Sequence, residues 1–194
     1  MSFAGKPDQF RLGFLTVIEV PEKGYVGGLL VTTHQGRPLE FQCTLPVKPN
    51  STQEILYGPT LTGFLLGELI GGALVDKAGI KPHLVLTDRA SVLDVRNQID
   101  APVALVSADA SPDRTAENRA PNSPGDAGAS QSEIEEGRTV RIGKQTLRFH
   151  SAHSADGDVI EKEAKRFPND ADFSEPFNRV REALQETLRI GTVR

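Results

Sequence analysis

The chain of 194 residues has no tryptophan, one cysteine, one methionine and no long uninterrupted apolar run. Each shortage narrows what the protein can be. The lone Cys43 closes no intramolecular disulfide, so a core and not covalent staples must hold the fold. The most membrane-like stretch, Leu61 to Val75, is fifteen residues interrupted by Glu68 and four glycines. A spanning helix needs about 20 apolar residues, so this reads as a buried helix with no membrane partner. The opening MSFAGKPDQF lacks the apolar run of a secretory signal, which makes a cytoplasmic location the expectation. P-loop and dinucleotide glycine spacings are absent, as is a zinc-type Cys/His set, so no cofactor and no metal is evident.

A fold-wide basic field is missing too. Residues 1–107 carry nine Lys+Arg against ten Asp+Glu, residues 108–137 two against seven, and residues 138–194 eleven against nine. The acidity is concentrated in the middle. That balance disfavours a dedicated nucleic-acid binder while leaving room for a local site.

With 38% hydrophobic and 25% charged residues the chain has the composition of a soluble globular protein. Phe10 to Val20, Tyr25 to Thr33 and Pro38 to Val47 are rich in β-branched and aromatic residues between glycine and proline breaks, and predict an antiparallel three-strand meander. In the third strand a period of two puts Leu39, Phe41, Cys43 and Leu45 on one face, which predicts a buried Cys43. Gly27-Gly28 reads as a strand irregularity.

A helix is expected from Pro59 or Thr60 to Gly79. Gly63, Gly67 and Gly71 recur along it, and three glycines cost about 1 kcal/mol each relative to alanine. Something must therefore approach that backbone closely, and the helix's own sheet is the expected neighbour, ahead of a dimerisation face. His83 to Thr87 and Pro102 to Val106 read as buried strands flanking a helix from Ser91 to Ile99.

Residues 108–137 hold no aromatic and one large aliphatic, Ile134, and are expected to form an acidic disordered linker between a 1–107 core and a 138–194 segment. That last segment reads as a hairpin, Thr139 to His150, then helices from Asp158 to Phe167 and from a Ser174 cap, docked on the core. The whole predicts an α/β or α+β protein with about five to seven strands in one mixed sheet.

Strand-end acids are the main chemical candidates. Glu19 ends the first strand, Glu68 lies on the glycine helix, and Asp88 follows a buried strand at the end of the sheet where ligands gather. Three antiparallel strands followed by helix, strand, helix, strand over residues 10–107 resemble the ribonuclease H-like fold in topology. That resemblance implies Glu19, Glu68 and Asp88 as carboxylates for Mg or Mn in a nuclease, or their remnant in a degenerate one.

His150 and His153 lack a third nearby Cys or His and are read as non-metal residues, and His34 and His83 as surface residues. The stiff connection from Val47 to Thr60, with Asn50, Glu54 and Tyr57, offers a shaped binding surface. Arg179, Arg181 and Arg189 give the last helix a basic face. The first expectation is thus a binding or assembly protein, with a protein partner or self-association, leaning away from catalysis. The metal-dependent or degenerate nuclease is the alternative. A small-ligand module binding near Asp88 and Arg89 is a further one.

Overall fold

The structure, a computed structural model, describes residues 10–108, 137–168 and 171–192. The acidic linker expected at 108–137 falls, except for its two end residues, outside them. Strands β1 (Arg11–Val20), β2 (Gly24–Thr33), β3 (Pro38–Cys43), β4 (Leu84–Thr87), β5 (Val103–Ala108), β6 (Thr139–Ile142) and β7 (Gln145–Phe149) make one mixed sheet in the order β3-β2-β1-β4-β5-β7-β6. β4 runs parallel to β1 and β5, and all other neighbours are antiparallel. The sheet is therefore seven-stranded, and β7 pairs with β5 from Ala104↔Phe149 to Ala108↔Gln145.

Alternation along β1 assigns its two faces. Leu12 and Phe14 pack into a core with helix α3 (Ala155–Glu163) and helix α4 (Ser174–Thr192), through Ile160, Phe177, Val180 and Leu184. Leu15 and Val17 face the opposite core, with Leu65, Leu66, Ile70, Val92, Leu93 and Val95. The result is three layers, helices on both faces of the sheet. Each fully buried Leu, Val or Phe contributes roughly 1.5–3 kcal/mol, so both helical layers are held chiefly by burial.

The helix expected from Pro59 or Thr60 is entered through a bend. Helix α1 (Ser51–Tyr57) runs into a 3₁₀ turn, Gly58–Thr60, and the chain bends by 104° into α2 (Gly63–Lys77). The first part of α2, Gly63–Gly71, is a π-helix, and the Gly72 N–H reaches the carbonyls of both Gly67 and Glu68. No single helix among the described residues is long and apolar enough to cross a membrane.

The glycine row faces a neighbour other than the one expected. A Cβ on Gly67 would lie 2.9 Å from Asp94 Cβ and 3.1 Å from Ser91 O and Val95 N, all in the 3₁₀ helix Ala90–Asn97. Gly71 meets both the 3₁₀ helix, at Val95, and the sheet, at Leu15. Gly27-Gly28 is likewise no irregularity, since both residues keep regular pairing with Val17 and Thr16. They are the points where α2 and α4 close on opposite faces of β2, Gly27 beneath Ile70 and Gly28 beneath Val180.

Strand β3 also reverses the expected faces. Cys43 is exposed, as are Leu39 and Phe41, while Glu40 and Gln42 are half-buried. The reason is hydrogen bonding at the end of α2: Glu40 accepts from the backbone N–H groups of Gly79 at 2.9 Å and Ile80 at 2.6 Å. Those donors draw the polar face of the edge strand inward, and the apolar face passes beyond the reach of α4. The expectation of a buried thiol is thereby corrected.

Candidate functional site at the carboxyl end of β4

Leu15 of β1 pairs with Thr87 of β4, which sets Thr16 and Asp88 side by side one residue further along. Thr16 has Phe14 and Ile18 as neighbours on its face, so its hydroxyl points toward the α4 layer. It is 1% exposed, and Thr16 Oγ1 donates to Asp88 Oδ1 at 2.7 Å. From α4, Arg181 Nη2 donates to Asp88 Oδ2. Both carboxylate oxygens are thus occupied.

Local sequence explains why Arg181 arrives there. Phe177 packs edge-on against Phe14 at 5.4 Å between ring centroids, and Arg181 lies one helical turn later on the same face. Val180 and Leu184, both 0% exposed, fix the rotation of the helix. Arg181 Nη1 donates to Asn178 Oδ1 at 3.0 Å, which holds the guanidinium plane. Side-chain exposure is 39% for Arg181 and 18% for Asp88, so the pair opens to solvent on the arginine side. A cleft of about 170 Å³ lies between Asp88, Val106, Ser174, Phe177, Asn178 and Arg181. Ligand clefts for drug-sized molecules run about 300–1,000 Å³, so this one admits a group nearer the size of a phosphate.

The other sequence candidates are placed as follows. Arg89 starts the 3₁₀ helix, and its N–H donates to Thr87 Oγ1 at 3.2 Å. Glu19 is exposed and stands across from Tyr25, whose phenol is pushed above its usual range by burial and by Glu19, with Arg89 acting in the opposite direction. Glu19, Tyr25 and Arg89 thus neighbour one another at the same end of the sheet as Asp88. Glu68 accepts from Gln98 Nε2 at 3.2 Å, beyond the far end of the 3₁₀ helix that leads back to the start of β5.

Asn50 caps α1, accepting from the Gln53 N–H at 2.8 Å while Gln53 Oε1 accepts from the Asn50 N–H at 3.1 Å. Glu54 N–H bonds the Asn50 carbonyl, and Tyr57 stacks on Phe64 at 4.2 Å. The Asn50 side-chain oxygen, N–H and carbonyl therefore all serve the helix cap.

Two residues that complete the site carried only faint sequence signals. Thr16 is a polar interruption in an apolar strand, and Arg181 is one of three arginines on the last helix. Their convergence over a long sequence separation is a tertiary fact.

The donor set was tested against a divalent cation, which ribonuclease H-like topology implies. Such ions take several oxygen ligands, mostly anionic. Here one carboxylate is shared by a hydroxyl and a guanidinium, and among the described residues no three His, Cys, Asp or Glu side chains are grouped to hold a metal. A guanidinium about 4 Å from a cation costs about 4 kcal/mol per unit of cation charge at an effective dielectric constant of about 20. These residues do not fit the ion.

Comparison with known proteins gives the following. The catalytic domain of human endonuclease V aligns with a TM-score of 0.45 and 14% identity, covering 94% of this chain and 87% of that one. Ciona intestinalis endonuclease V carrying D234N, bound to a 23mer DNA containing an inosine followed by a ribo-adenosine, aligns with a TM-score of 0.42 and 11% identity, covering 91% and 86%. Marinitoga piezophila Argonaute with a 5′-OH guide RNA aligns over 52% of this chain and 16% of its own, with a TM-score of 0.29 and 14% identity.

Two of these solved structures are endonucleases by name, and against them the binding-or-assembly expectation is not kept. No protein-family model and no curated protein matches the sequence.

Proposed function

We propose that this protein is a degenerate nuclease of ribonuclease H-like topology, which meets nucleic acid at the carboxyl end of β4 and does not cleave it through a carboxylate-held metal. The observation that carries this reading is the Asp88–Arg181 pair. It stands where the parallel strands of the sheet end, the position at which open α/β sheets collect ligands. A fixed guanidinium there supplies permanent positive charge in the place where a cation would otherwise face a phosphodiester.

The chemistry available to such a site is recognition. Arg181 is held by Asp88 and Asn178 with its outer edge in solvent, and a guanidinium fork matches the oxygens of a phosphate. Ser174 and Asn178 add polar groups to the phosphate-sized cleft beside Arg181. Asp88 orients the arginine and Thr16 orients Asp88. No proton transfer or nucleophile is required.

Hydrolysis of labelled single- and double-stranded DNA and RNA, with magnesium or manganese, tests the proposal. The expected result is no metal-dependent cleavage. Cleavage that disappears in Asp88→Asn would overturn the degenerate reading in favour of an active nuclease.

A further inference from the structure

The sheet ends on one side in β3, and among the described residues no strand covers its outer edge. The backbone along that edge has a definite direction. Thr44 N–H donates to the Gly27 carbonyl at 3.0 Å, and Gln42 and Glu40, at a period of two from it, stand opposite Leu29 and Val31 of β2. Phe41 and Cys43, between them, therefore turn both N–H and C=O outward. An open row of alternating donors and acceptors is completed by an extended chain.

The side chains of the edge narrow what that chain is. Leu39, Phe41, Cys43 and Leu45 are exposed, Leu45 at 84%, and Glu40 is the single charge between Pro38 and Leu45. Its carboxylate accepts from the Gly79 and Ile80 N–H groups and from Gln42 Nε2, so it is turned away from the edge and does not guard it. Edge strands are ordinarily blunted by exposed charge, and β6 at the other side of the sheet follows that rule with Arg141 exposed.

We propose that β3 pairs antiparallel with β3 of a second copy, across a two-fold axis at Gln42. A two-fold axis that keeps like faces together permits few registers, and charge chooses among them. With the axis at Glu40, two carboxylates stand opposite each other. With the axis at Phe41, Arg37 faces the apolar Leu45 of the other copy. With the axis at Gln42, Glu40 meets the neutral Thr44, Leu39 meets Leu45, and Phe41 and Cys43 exchange both their backbone hydrogen bonds. This register also leaves out the irregularity in pairing near Pro38.

Strands β1 and β3 both run antiparallel to β2, so the two-fold axis points the Asp88 ends of the two copies in opposite directions. The two β4 strands stand about seven strand spacings apart, roughly 34 Å. Neither strand-end site is covered. The pairing goes beyond the reading of that site, stands whether or not it holds, and assigns the chain no assembly function.

Sedimentation velocity of the full chain from about 1 µM to about 200 µM tests the pairing, since so small an interface predicts a dimer of about 10–100 µM affinity. Leu45→Lys weakens dimerisation by about tenfold or more, and because Leu45 is so exposed the thermal midpoint of the dilute protein stays unchanged. Labelling of Cys43 by a thiol reagent is fast in dilute protein and slows as concentration passes the dissociation constant.

Mild oxidation then reads the register. Gln42→Cys in a Cys43→Ser background crosslinks two chains, because Gln42 faces its own copy at the axis, where opposed Cα atoms lie about 4.5 Å apart. Leu45→Cys in the same background does not, although random collision would favour the more exposed position. A monomer at every concentration, a dimer that Leu45→Lys leaves intact, or crosslinking that favours Leu45→Cys over Gln42→Cys overturns the proposal.

Discussion

Arg181 in the middle of the last helix closes on Asp88 at the end of β4, across 93 residues of sequence, while Thr16 donates to the other carboxylate oxygen. A carboxylate at 18% exposure that lost this partner would keep most of its desolvation without its compensating charge. Exposure of the arginine moderates the effect, so Arg181→Met should cost about 1–2 kcal/mol, between an exposed and a buried ion pair. Denaturant melts of Asp88→Asn, Arg181→Met and the double variant check this. The double variant should be less destabilised than the sum of the single ones, and strict additivity would mean the two groups do not interact.

Gly67 faces backbone atoms of the 3₁₀ helix at 3.1 Å, and backbone cannot rotate away as a side chain can. Gly67→Leu should therefore overpack the joint and cost about 1–3 kcal/mol, despite the gain in helix propensity. A chain of this size should lose about 2–4 °C of thermal midpoint per kcal/mol. An unchanged midpoint would remove the close approach from the account.

Cys43 lies on the outward face of the edge strand. A thiol reagent should label it under native conditions at close to the rate seen in denaturant, and labelling should leave the thermal midpoint unchanged. Protection by folding would restore the buried thiol.

The His83 ring is held below its usual titration range by burial, then by Arg11 and Arg166, with Glu163 opposing. His153 is lowered too, by burial and by Arg96. A folded-state value below the unfolded 6.5 means that the unfolded chain takes up protons first as pH falls. The contribution is therefore complete above about pH 6.5 and is lost as pH falls through the depressed folded values. His83→Asn, whose amide oxygen can still accept from Arg11 N–H, should flatten the fall in stability between about pH 7.5 and about pH 5.5. Thermal melts across that window decide, and an identical pH slope in the variant would contradict the depressed titration.

The sheet was legible because its strands carry their own signals. The β-branched and aromatic runs of β1 and β2, bounded by glycine and proline, and the short apolar runs of β4 and β5 need little tertiary context. Outcomes set by partners were not legible. β3 presents an apolar face by its period, yet Glu40 turns inward because two N–H groups after α2 require an acceptor.

Gly67 announced a close neighbour without naming it, and the 3₁₀ helix takes the place expected for the sheet. At the strand end, Asp88 could be read as a candidate from its position alone. Thr16 and Arg181 could not, because only folding sets the Thr16 hydroxyl and the α4 guanidinium on one carboxylate. Glu68, which shares neither strand nor sheet end with Asp88, lies with Gln98 instead.

Binding of a short fluorescent single-stranded oligonucleotide, measured by anisotropy in chelator and again in manganese, tests the central claim most directly. A guanidinium in place of a metal predicts the same affinity in both solutions, with log affinity falling as log salt rises, and a loss of about tenfold in Arg181→Met. Binding that requires manganese, or that Arg181→Met leaves intact, would contradict it.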